Sequence, residues 1–471
     1  MLEKEERLLM QDADEVRKNA EAIREMKLTT AVRSGVMKGR KRGMRRVYSY
    51  GAGLAAFAAA AVFITWSIIG SPLTKQEDTK LEQTASSNSV TSFDLFAPIG
   101  ARDKGFAAAM QQNLLKPIKQ GVEKDGYRVD VAGAVADGRR AYIMFSVQNH
   151  TKHGASPIPD SLKFGDDEAP SVRAEAKNVR NGNLLPGETG YYVYSTNLAP
   201  SANYSHDATL SVKVWDTVSQ YYAKGLDISF DLDTSMLNGQ EHVYHPEGAL
   251  TIDGQKIEVS QVQFTPLGTY VDLKYDPSNT KQVFKVISPV LIGKSGDKIE
   301  KLYYPEMISN DNTQATLWYK NSPIDQMETT SLKVFGIGAV DKERLKIVVD
   351  LNKRELISAP DEKLQILPPE PEEGAGEINF YRKVEHAQAE NNFGMSLSDT
   401  FTDASGNKHK RQPLNKLATT GTSYSTKTDI MEDYYFYYFG EEAADYPQPL
   451  TIEVKKYWIP VMETQSIQIT P

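Results

Sequence analysis

Apolar and polar residues follow three different patterns along this chain of 471 residues. Residues 2–27 place apolar side chains three and four positions apart, and residues 47–69 contain no charge. Much of the remainder alternates apolar and polar positions in short runs. These are the patterns of an amphipathic helix, a membrane-spanning helix and β-strands, respectively. The sequence therefore predicts a mainly β protein with a short N-terminal helix and one transmembrane helix.

The uncharged run at residues 47–69 is long enough to cross a bilayer. At about 1.5 Å per residue it spans roughly 34 Å, and the hydrocarbon core is about 30 Å thick. Tyr48, Tyr50 and Trp66 lie near its ends, where membrane helices carry aromatic residues. A cleaved signal peptide or a buried globular helix fits poorly with a long basic leader on one side and a polar linker on the other.

Basic residues are concentrated before this run, and residues 26–71 contain no acidic side chain. By the positive-inside rule, the N-terminus is cytoplasmic and the C-terminal region is extracellular, giving a single-pass protein of the cell membrane. The same residues are expected to contact lipid head groups. A net charge of −8 argues against a nucleic-acid binder. The topology determinants are Lys38, Arg40, Lys41, Arg42, Arg45 and Arg46.

The cytoplasmic head, residues 1–46, has too few large apolar side chains to bury a core of its own. Its apolar stripe therefore needs a partner: another helix, a protein groove or the bilayer surface. In the alternative interpretation, the helix is solvated and only leads into the membrane anchor. The stripe consists of Leu9, Val16, Ala20 and Ile23, with Ala13 between them.

After a polar linker at residues 70–93, the chain carries repeated strand patterns. Gly126 and Gly254 each follow an aspartate and each open an alternating run, and the two runs are 128 residues apart. An Asp-Gly turn at Asp137 predicts a hairpin in the first of these units. Repetition at this spacing is typical of tandem immunoglobulin-like β-sandwiches. The predicted β-domains are residues 94–238, 242–368 and 374–471, the last being either a third domain or the C-terminal part of the second.

Pairs of apolar, alternating runs also recur near the end of each unit, and they predict its closing strands. They begin at Leu210 and Leu226, at Leu332 and Leu345, and at Leu450 and Ser466. A short helix is predicted at residues 103–116, where Phe106, Met110 and Leu114 share one face.

Candidate chemistry is sparse. The chain has no cysteine, which excludes disulfides and thiolate sites, and no recognised catalytic motif, so we predict a non-enzyme without a cofactor or metal. His242 and His245 form a close pair that is interpreted as part of a linker. Asp399, Asp403 and Asn407 are candidate calcium ligands, but the glycine among them favours a hairpin loop.

The aromatic run at residues 434–439, Tyr-Tyr-Phe-Tyr-Tyr-Phe, resembles a platform for stacking sugars. Because strand residues point alternately to opposite faces, three of the six side chains are expected in a core. The other three are assigned to an exposed patch or a contact with a neighbouring domain, and the domain contact is the default interpretation.

With these elements in place, the layout resembles a family of anti-sigma-factor-like, single-pass membrane proteins of Gram-positive bacteria with immunoglobulin-like outer domains of unknown function. The resemblance covers the head and anchor, the first hairpin at residues 126–147 and the C-terminal block at residues 446–454. It implies that the head binds a sigma factor and that the outer domains sense the envelope. Residues 1–46 contain neither His nor Cys, so the zinc-binding form of such a head is excluded.

The leading functional hypothesis is thus a membrane-anchored regulatory or signalling protein, a metal-free anti-sigma factor. The alternative is a structural or adhesive envelope protein whose β-sandwiches bind a ligand and whose cytoplasmic tail is inert. The expected partners are the lipid bilayer, a sigma factor at the head and an extracellular ligand of unknown identity.

Overall fold

The computed structural model describes residues 92–100, 103–168, 175–178, 183–200, 202–218, 222–320, 323–369, 374, 376–385, 394–413, 420–425 and 427–470. The predicted head, its stripe from Leu9 to Ile23, the basic residues from Lys38 to Arg46, and the predicted transmembrane helix lie outside these residues. Within them, no helix is both long and apolar enough to cross a membrane.

The fold is mainly β, as predicted: 59% of the described residues are in strands and 8% in helices. All of them belong to one compact unit. The strands are antiparallel throughout and form seven sheets, which we describe as three sheet groups according to the hydrophobic clusters they share.

A short helical segment precedes the first strand. It consists of a 3₁₀ turn at Ser92–Phe96, α1 at Ala97–Gly100 and α2 at Lys104–Gln111. The Asp103 carboxylate caps α2 by accepting a hydrogen bond from the Phe106 amide at 3.1 Å. Phe106 is fully buried, which confirms the N-terminal part of the predicted helix. Its C-terminal part was predicted wrongly, because α2 ends at Gln111, Leu114 lies beyond it and the first strand begins at Lys116.

The first sheet group contains two sheets that enclose one hydrophobic cluster, to which Val129, Phe145, Leu210 and Ile228 belong. Its sheets follow the orders β1-β2-β3-β7-β6 and β5-β4-β8-β9. The strands are β1 (Lys116–Lys124), β2 (Tyr127–Ala136), β3 (Arg140–Asn149), β4 (Ala155–Phe164), β5 (Asp167–Glu168), β6 (Glu175–Asn178), β7 (Thr189–Asn197), β8 (Asp207–Asp216) and β9 (Tyr222–Asp231).

The second sheet group begins with a sheet of order β10-β12-β13-β18-β17, on which β11 pairs with β12. Its remaining strands form two smaller sheets around the same cluster. The strands are β10 (His242–Tyr244), β11 (Ala249–Ile252), β12 (Gln255–Thr265), β13 (Gly268–Tyr275), β14 (Lys281–Ile287), β15 (Val290–Ser295), β16 (Lys298–Leu302), β17 (Glu306–Asn310), β18 (Gln314–Lys320), β19 (Thr329–Val334) and β20 (Gly336–Asp341). A 3₁₀ turn at Pro323–Gln326 precedes β19.

The third sheet group follows the orders β22-β21-β29-β25-β26 and β23-β24-β28-β27. Its strands are β21 (Lys346–Asp350), β22 (Glu355–Ser358), β23 (Gln365–Ile366), β24 (Glu377–Glu385), β25 (Ser396–Thr402), β26 (Lys408–Lys410), β27 (Thr420–Ser425), β28 (Ile430–Tyr438) and β29 (Leu450–Lys456). Two further 3₁₀ turns lie at Lys342–Arg344 and Glu441–Asp445. Two last strands follow, β30 (Ile459–Val461) and β31 (Gln465–Gln468).

The chain returns from the third group to the second at its C-terminal end. Strand β30 pairs with β20, and β31 pairs with β19, so Ile467 lies opposite Leu332 and Ile469 is part of the second cluster. Strand β21 pairs with β29. Strands on both sides of the predicted boundary at residues 368–374 are therefore hydrogen-bonded to each other, while the domain limits read from the sequence stay predictions.

The predicted hairpins occur at both repeats. Strand β2 pairs with β3, and β12 pairs with β13, each with an Asp-Gly turn before its first strand. The predicted closing strands have different pairing partners in the first and second units. Strands β8 and β9 pair with each other, but the closing strands of the second unit pair with those of the C-terminal block, β19 with β31 and β21 with β29.

Candidate functional site

The turn between β2 and β3 lies where the first and second sheet groups meet. Gly138 occupies the left-handed region at φ 79°. One carboxylate oxygen of Asp137 accepts hydrogen bonds from the amides of Arg139 and Arg140 at 3.0 and 2.7 Å. This local closure fixes the turn, and it holds two adjacent arginines whose side chains diverge as neighbouring residues of a strand do.

Arg139 joins the two groups by a bidentate ion pair. Its two terminal nitrogens donate to the two carboxylate oxygens of Asp272 at 3.0 and 2.8 Å, and one of them also donates to Gln263 at 3.3 Å. The Arg139 side chain is 4% exposed and Asp272 is 22% exposed. A partly dehydrated, bidentate arginine–carboxylate pair is both stronger and more directional than a surface pair.

Asp137 makes a second connection across the same junction. Its other carboxylate oxygen accepts from the hydroxyls of Thr265 at 2.6 Å and Tyr270 at 3.0 Å, both in the second group. Burial raises the pKa of Asp137, and the hydrogen bonds from Thr265, the turn amides and Tyr270 oppose that rise. Four donors thus converge on one buried carboxyl group, which fixes the turn against β12 and β13.

The Arg140 side chain makes its contacts on the other side of the turn. It is 1% exposed, donates to Asn197 at 2.8 Å and Ser195 at 3.2 Å, and lies 4.1 Å from the centre of the Trp318 ring. The contact with Trp318, a residue of β18, is a cation–π interaction between the two groups. Both neighbouring arginines therefore connect the first group to the second.

The helical segment packs beside Trp318. The hydroxyl of Tyr142 donates to Asp103, the cap of α2, at 3.1 Å. A Cβ placed on Gly105 would lie 2.7 Å from the Leu267 carbonyl oxygen and 3.3 Å from the Trp318 ring, so only glycine fits there. The segment that follows the predicted membrane linker is consequently packed into the junction.

A polar cleft of about 970 Å³ opens beside Arg139, between the two groups. Both histidines on its wall have polar partners. His206 lies 3.6 Å from the Asp233 carboxylate, and His245 contacts the Ser260 carbonyl oxygen at 2.9 Å. The amide nitrogen of Asn197 is buried without a partner in the described residues. The wall combines hydroxyl and amide side chains with charged groups and several apolar residues. Its polar side chains include Asn197, His206, Glu258, Gln261, Lys274 and Thr316.

Such a lining suits a hydrophilic ligand, since these side chains supply both donors and acceptors. The cleft is therefore the candidate functional site among the described residues.

The candidate metal ligands predicted from the sequence make other contacts in the structure. His242 begins β10, and His245 follows that strand and bonds to Ser260. Asp403 closes the β25–β26 hairpin by accepting from the amide of Asn407 at 2.9 Å, and His409 lies 2.9 Å from it. The Asp399 carboxylate instead pairs with Arg411 at 2.7 Å. No group of three potential ligands that could hold a metal occurs in the described part of the chain.

The aromatic run shows the predicted alternation. Tyr435, Tyr437 and Phe439 are buried in the third cluster, while Tyr434, Phe436 and Tyr438 are half-buried on the opposite face of β28. The expected core positions are confirmed.

Sequence reasoning did not identify the junction residues. The sequence identifies Asp137 only as a turn-forming residue, and charged residues beside a turn are usually solvated. The available signal was the pair of arginines directly after an Asp-Gly turn, followed by a strand without other charges.

No family model and no curated protein matches the chain. Among solved structures, the conserved domain protein from Bacillus anthracis aligns with a TM-score of 0.35 and 13% identity, over 52% of this chain and 84% of that one. The C-terminal domain of the Streptococcus agalactiae AgI/II polypeptide BspA aligns with a TM-score of 0.11 and 9% identity, over 76% and 100%. Both scores are too low to support an argument about fold or function.

Proposed function

We propose that this chain is a membrane-anchored regulatory protein whose extracellular β-domains sense an envelope ligand in the polar cleft at the first junction. In this proposal residues 47–69 are the transmembrane anchor, and the sheet groups are tandem immunoglobulin-like β-sandwiches. The cytoplasmic stripe Leu9, Val16, Ala20 and Ile23 restrains a sigma factor without a metal.

The observation that carries the proposal is the cleft beside the Arg139–Asp272 pair. A ligand shifts a conformational equilibrium only by its difference in affinity for the two states. A ligand seated between two sheet groups meets that condition, because its contacts depend on their relative orientation. The helical segment at residues 92–111 supports a signalling role, since it lies in the same junction and is connected in sequence to the predicted linker and anchor.

The regulatory half of the proposal is tested at the head. Placing Asp at both Val16 and Ile23 would bury charge in the stripe's interface, and a loss of about 3 kcal/mol weakens binding more than a hundredfold. We expect constitutive transcription of a sigma-dependent gene set in cells carrying the double variant. Lys18→Ala, on the polar face, is the matched control and is expected to cost less than about 1 kcal/mol.

The sensing half is tested at the cleft. Glu258 is exposed on its wall, so Glu258→Trp fills the cleft without entering the core. Cells carrying it are expected to lose the transcriptional response to a wall-synthesis inhibitor, whereas Glu453→Trp, an exposed control on β29, retains it. If the head variant matches wild type and a deletion strain shows only envelope or adhesion defects, the regulatory proposal fails in favour of the structural alternative.

A further inference from the structure

The outer face of the sheet β23-β24-β28-β27 carries a row of aromatic side chains. Tyr434, Phe436 and Tyr438 project from β28, alternating with the buried positions of that strand. Tyr381 projects from β24 on the same face, because it lies directly opposite Tyr434 in the antiparallel register. All four residues are half-buried, so each keeps part of its surface accessible.

Tyr381 and Tyr434 form the centre of this row. Their ring centres are 5.0 Å apart and their planes are inclined by 44°. On the other side of Tyr434 the opposing residue is Gly421 of β27. A Cβ built on Gly421 would meet no atom within 4 Å, so the space beside Tyr434 is open.

Polar groups border the rings. The Tyr381 hydroxyl donates to Glu432 at 2.9 Å, and Lys383 lies 3.5 Å from the same carboxylate. Burial and this hydrogen bond to Glu432 raise the pKa of Tyr381 to about 12, so the hydroxyl stays protonated. Asn379 lies opposite Phe436, is 3% exposed, and its side-chain oxygen has no hydrogen-bond partner in the described structure.

We propose that this face binds a pyranose glycan, with the saccharide rings stacked on Tyr434 and Tyr381. A pyranose presents apolar C–H faces to aromatic rings and hydroxyl edges to polar side chains. Glu432 accepts hydrogen bonds from the ligand's hydroxyl groups, and Lys383 donates to their oxygens. The side-chain oxygen of Asn379 is buried beneath this face and is not part of the proposed site. This site uses neither the cleft nor the cytoplasmic head, so it stands independently of the proposed function.

A glycan matches this face better than other ligands. An apolar protein surface would bury the Glu432–Lys383 pair without replacing its hydration. The carboxylate of Glu432 and the net charge of −8 disfavour a nucleic acid, whose phosphates need cations. Half-buried tyrosines also lose little side-chain entropy on stacking.

The test is calorimetric titration of the full-length chain, solubilised in a detergent without a sugar head group. The probes are tetrasaccharides of β-1,4-linked glucose and of β-1,4-linked N-acetylglucosamine, two neutral glycans that differ in the N-acetyl group. We expect at least one of them to bind at millimolar concentration or below. Absence of heat and of saturation-transfer NMR signals with both probes would overturn the proposal.

Variants locate the binding. Tyr434→Ala removes the stacking ring and is expected to weaken binding about tenfold, equivalent to about 1.4 kcal/mol. Tyr434→Phe keeps the ring, and Tyr303→Ala removes an aromatic side chain that is 45% exposed elsewhere. Both are expected to change the dissociation constant less than about twofold. Equal binding by Tyr434→Ala and wild type would refute this location, and unchanged thermal melting of Tyr434→Ala would exclude misfolding as the cause.

Discussion

The guanidinium of Arg139 and the carboxylate of Asp272 are 133 residues apart in sequence and share two hydrogen bonds, of 3.0 and 2.8 Å. We expect Arg139→Ala and Asp272→Ala to be strongly non-additive, with a coupling of about 1–3 kcal/mol, because each variant leaves a desolvated charge behind. Urea unfolding of wild type, both single variants and the double variant measures it.

The control cycle for that prediction is the pair Lys213–Asp160, whose side chains are 44% and 42% exposed. Its coupling is expected to stay below about 1 kcal/mol. Equal coupling in the two cycles would mean that the junction pair is no stronger than a surface contact.

Fragments that end near residue 368 are expected not to fold as the intact chain does. A fragment of residues 242–368 lacks β30 and β31, which pair with β20 and β19 in the intact chain. It also lacks β29, so β21 loses its pairing partner. A fragment of residues 242–471 keeps every one of these pairs. Circular dichroism and thermal melting should give a cooperative transition for the longer fragment only. A cooperative melt of the shorter one would instead support independent second and third domains.

Removing the hydroxyl group of Tyr437 is expected to stabilise the protein. The side chain is fully buried, and its oxygen has no hydrogen-bond partner in the described structure. Because a buried, unpaired hydroxyl is costly, Tyr437→Phe should raise the free energy of unfolding by about 1 kcal/mol. Tyr435→Phe is the matched control and should lower it by about as much, since Arg411 donates to the Tyr435 oxygen at 3.3 Å. If both substitutions changed the free energy of unfolding in the same direction, the contrast between an unpaired Tyr437 hydroxyl and a hydrogen-bonded Tyr435 hydroxyl would be wrong.

Asp403 is expected to make the third group sensitive to acid. The hydrogen bond with His409 lowers the pKa of Asp403 to about 2, against the opposing effect of burial and with help from Asn407 and Ser405. The ionised carboxylate therefore stabilises the fold above about pH 4, and this contribution disappears as the pH falls towards 2. Asp403→Asn should melt lower than wild type at neutral pH, and the difference should vanish by about pH 2.

The control for the pH series is Asp399→Asn, on the same hairpin, whose carboxylate is 56% exposed. It should shift the melting temperature less than Asp403→Asn at neutral pH. A difference between Asp403→Asn and wild type that stays constant down to about pH 2 would show that the Asp403 charge is not what stabilises the loop.

Local features of the fold were predictable from the sequence. The Asp-Gly turn at Asp137 specified the β2–β3 hairpin, because it needs a residue at positive φ and stands between two alternating runs. The alternation of Tyr434 to Phe439 specified which rings enter the core, since that depends only on strand period.

Strand partners and the cleft were not predictable. Alternation determines the face on which a side chain lies but not which distant strand edge it meets, so Leu332 gave no indication that it faces Ile467. Arg139 and Asp272 likewise resemble solvated surface charges, and only the approach of the two sheet groups desolvates them. The cleft exists only because of that approach.

The position of β31 determines when the second sheet group can be completed. As the ribosome makes the chain from its N-terminus, β19 acquires one neighbour, β15, early, but its other neighbour is not synthesised until Gln468. During that interval the edge of β19 is an open template for pairing with other chains. Nascent chains that stop before residue 465 would therefore be the form of this protein most prone to aggregate.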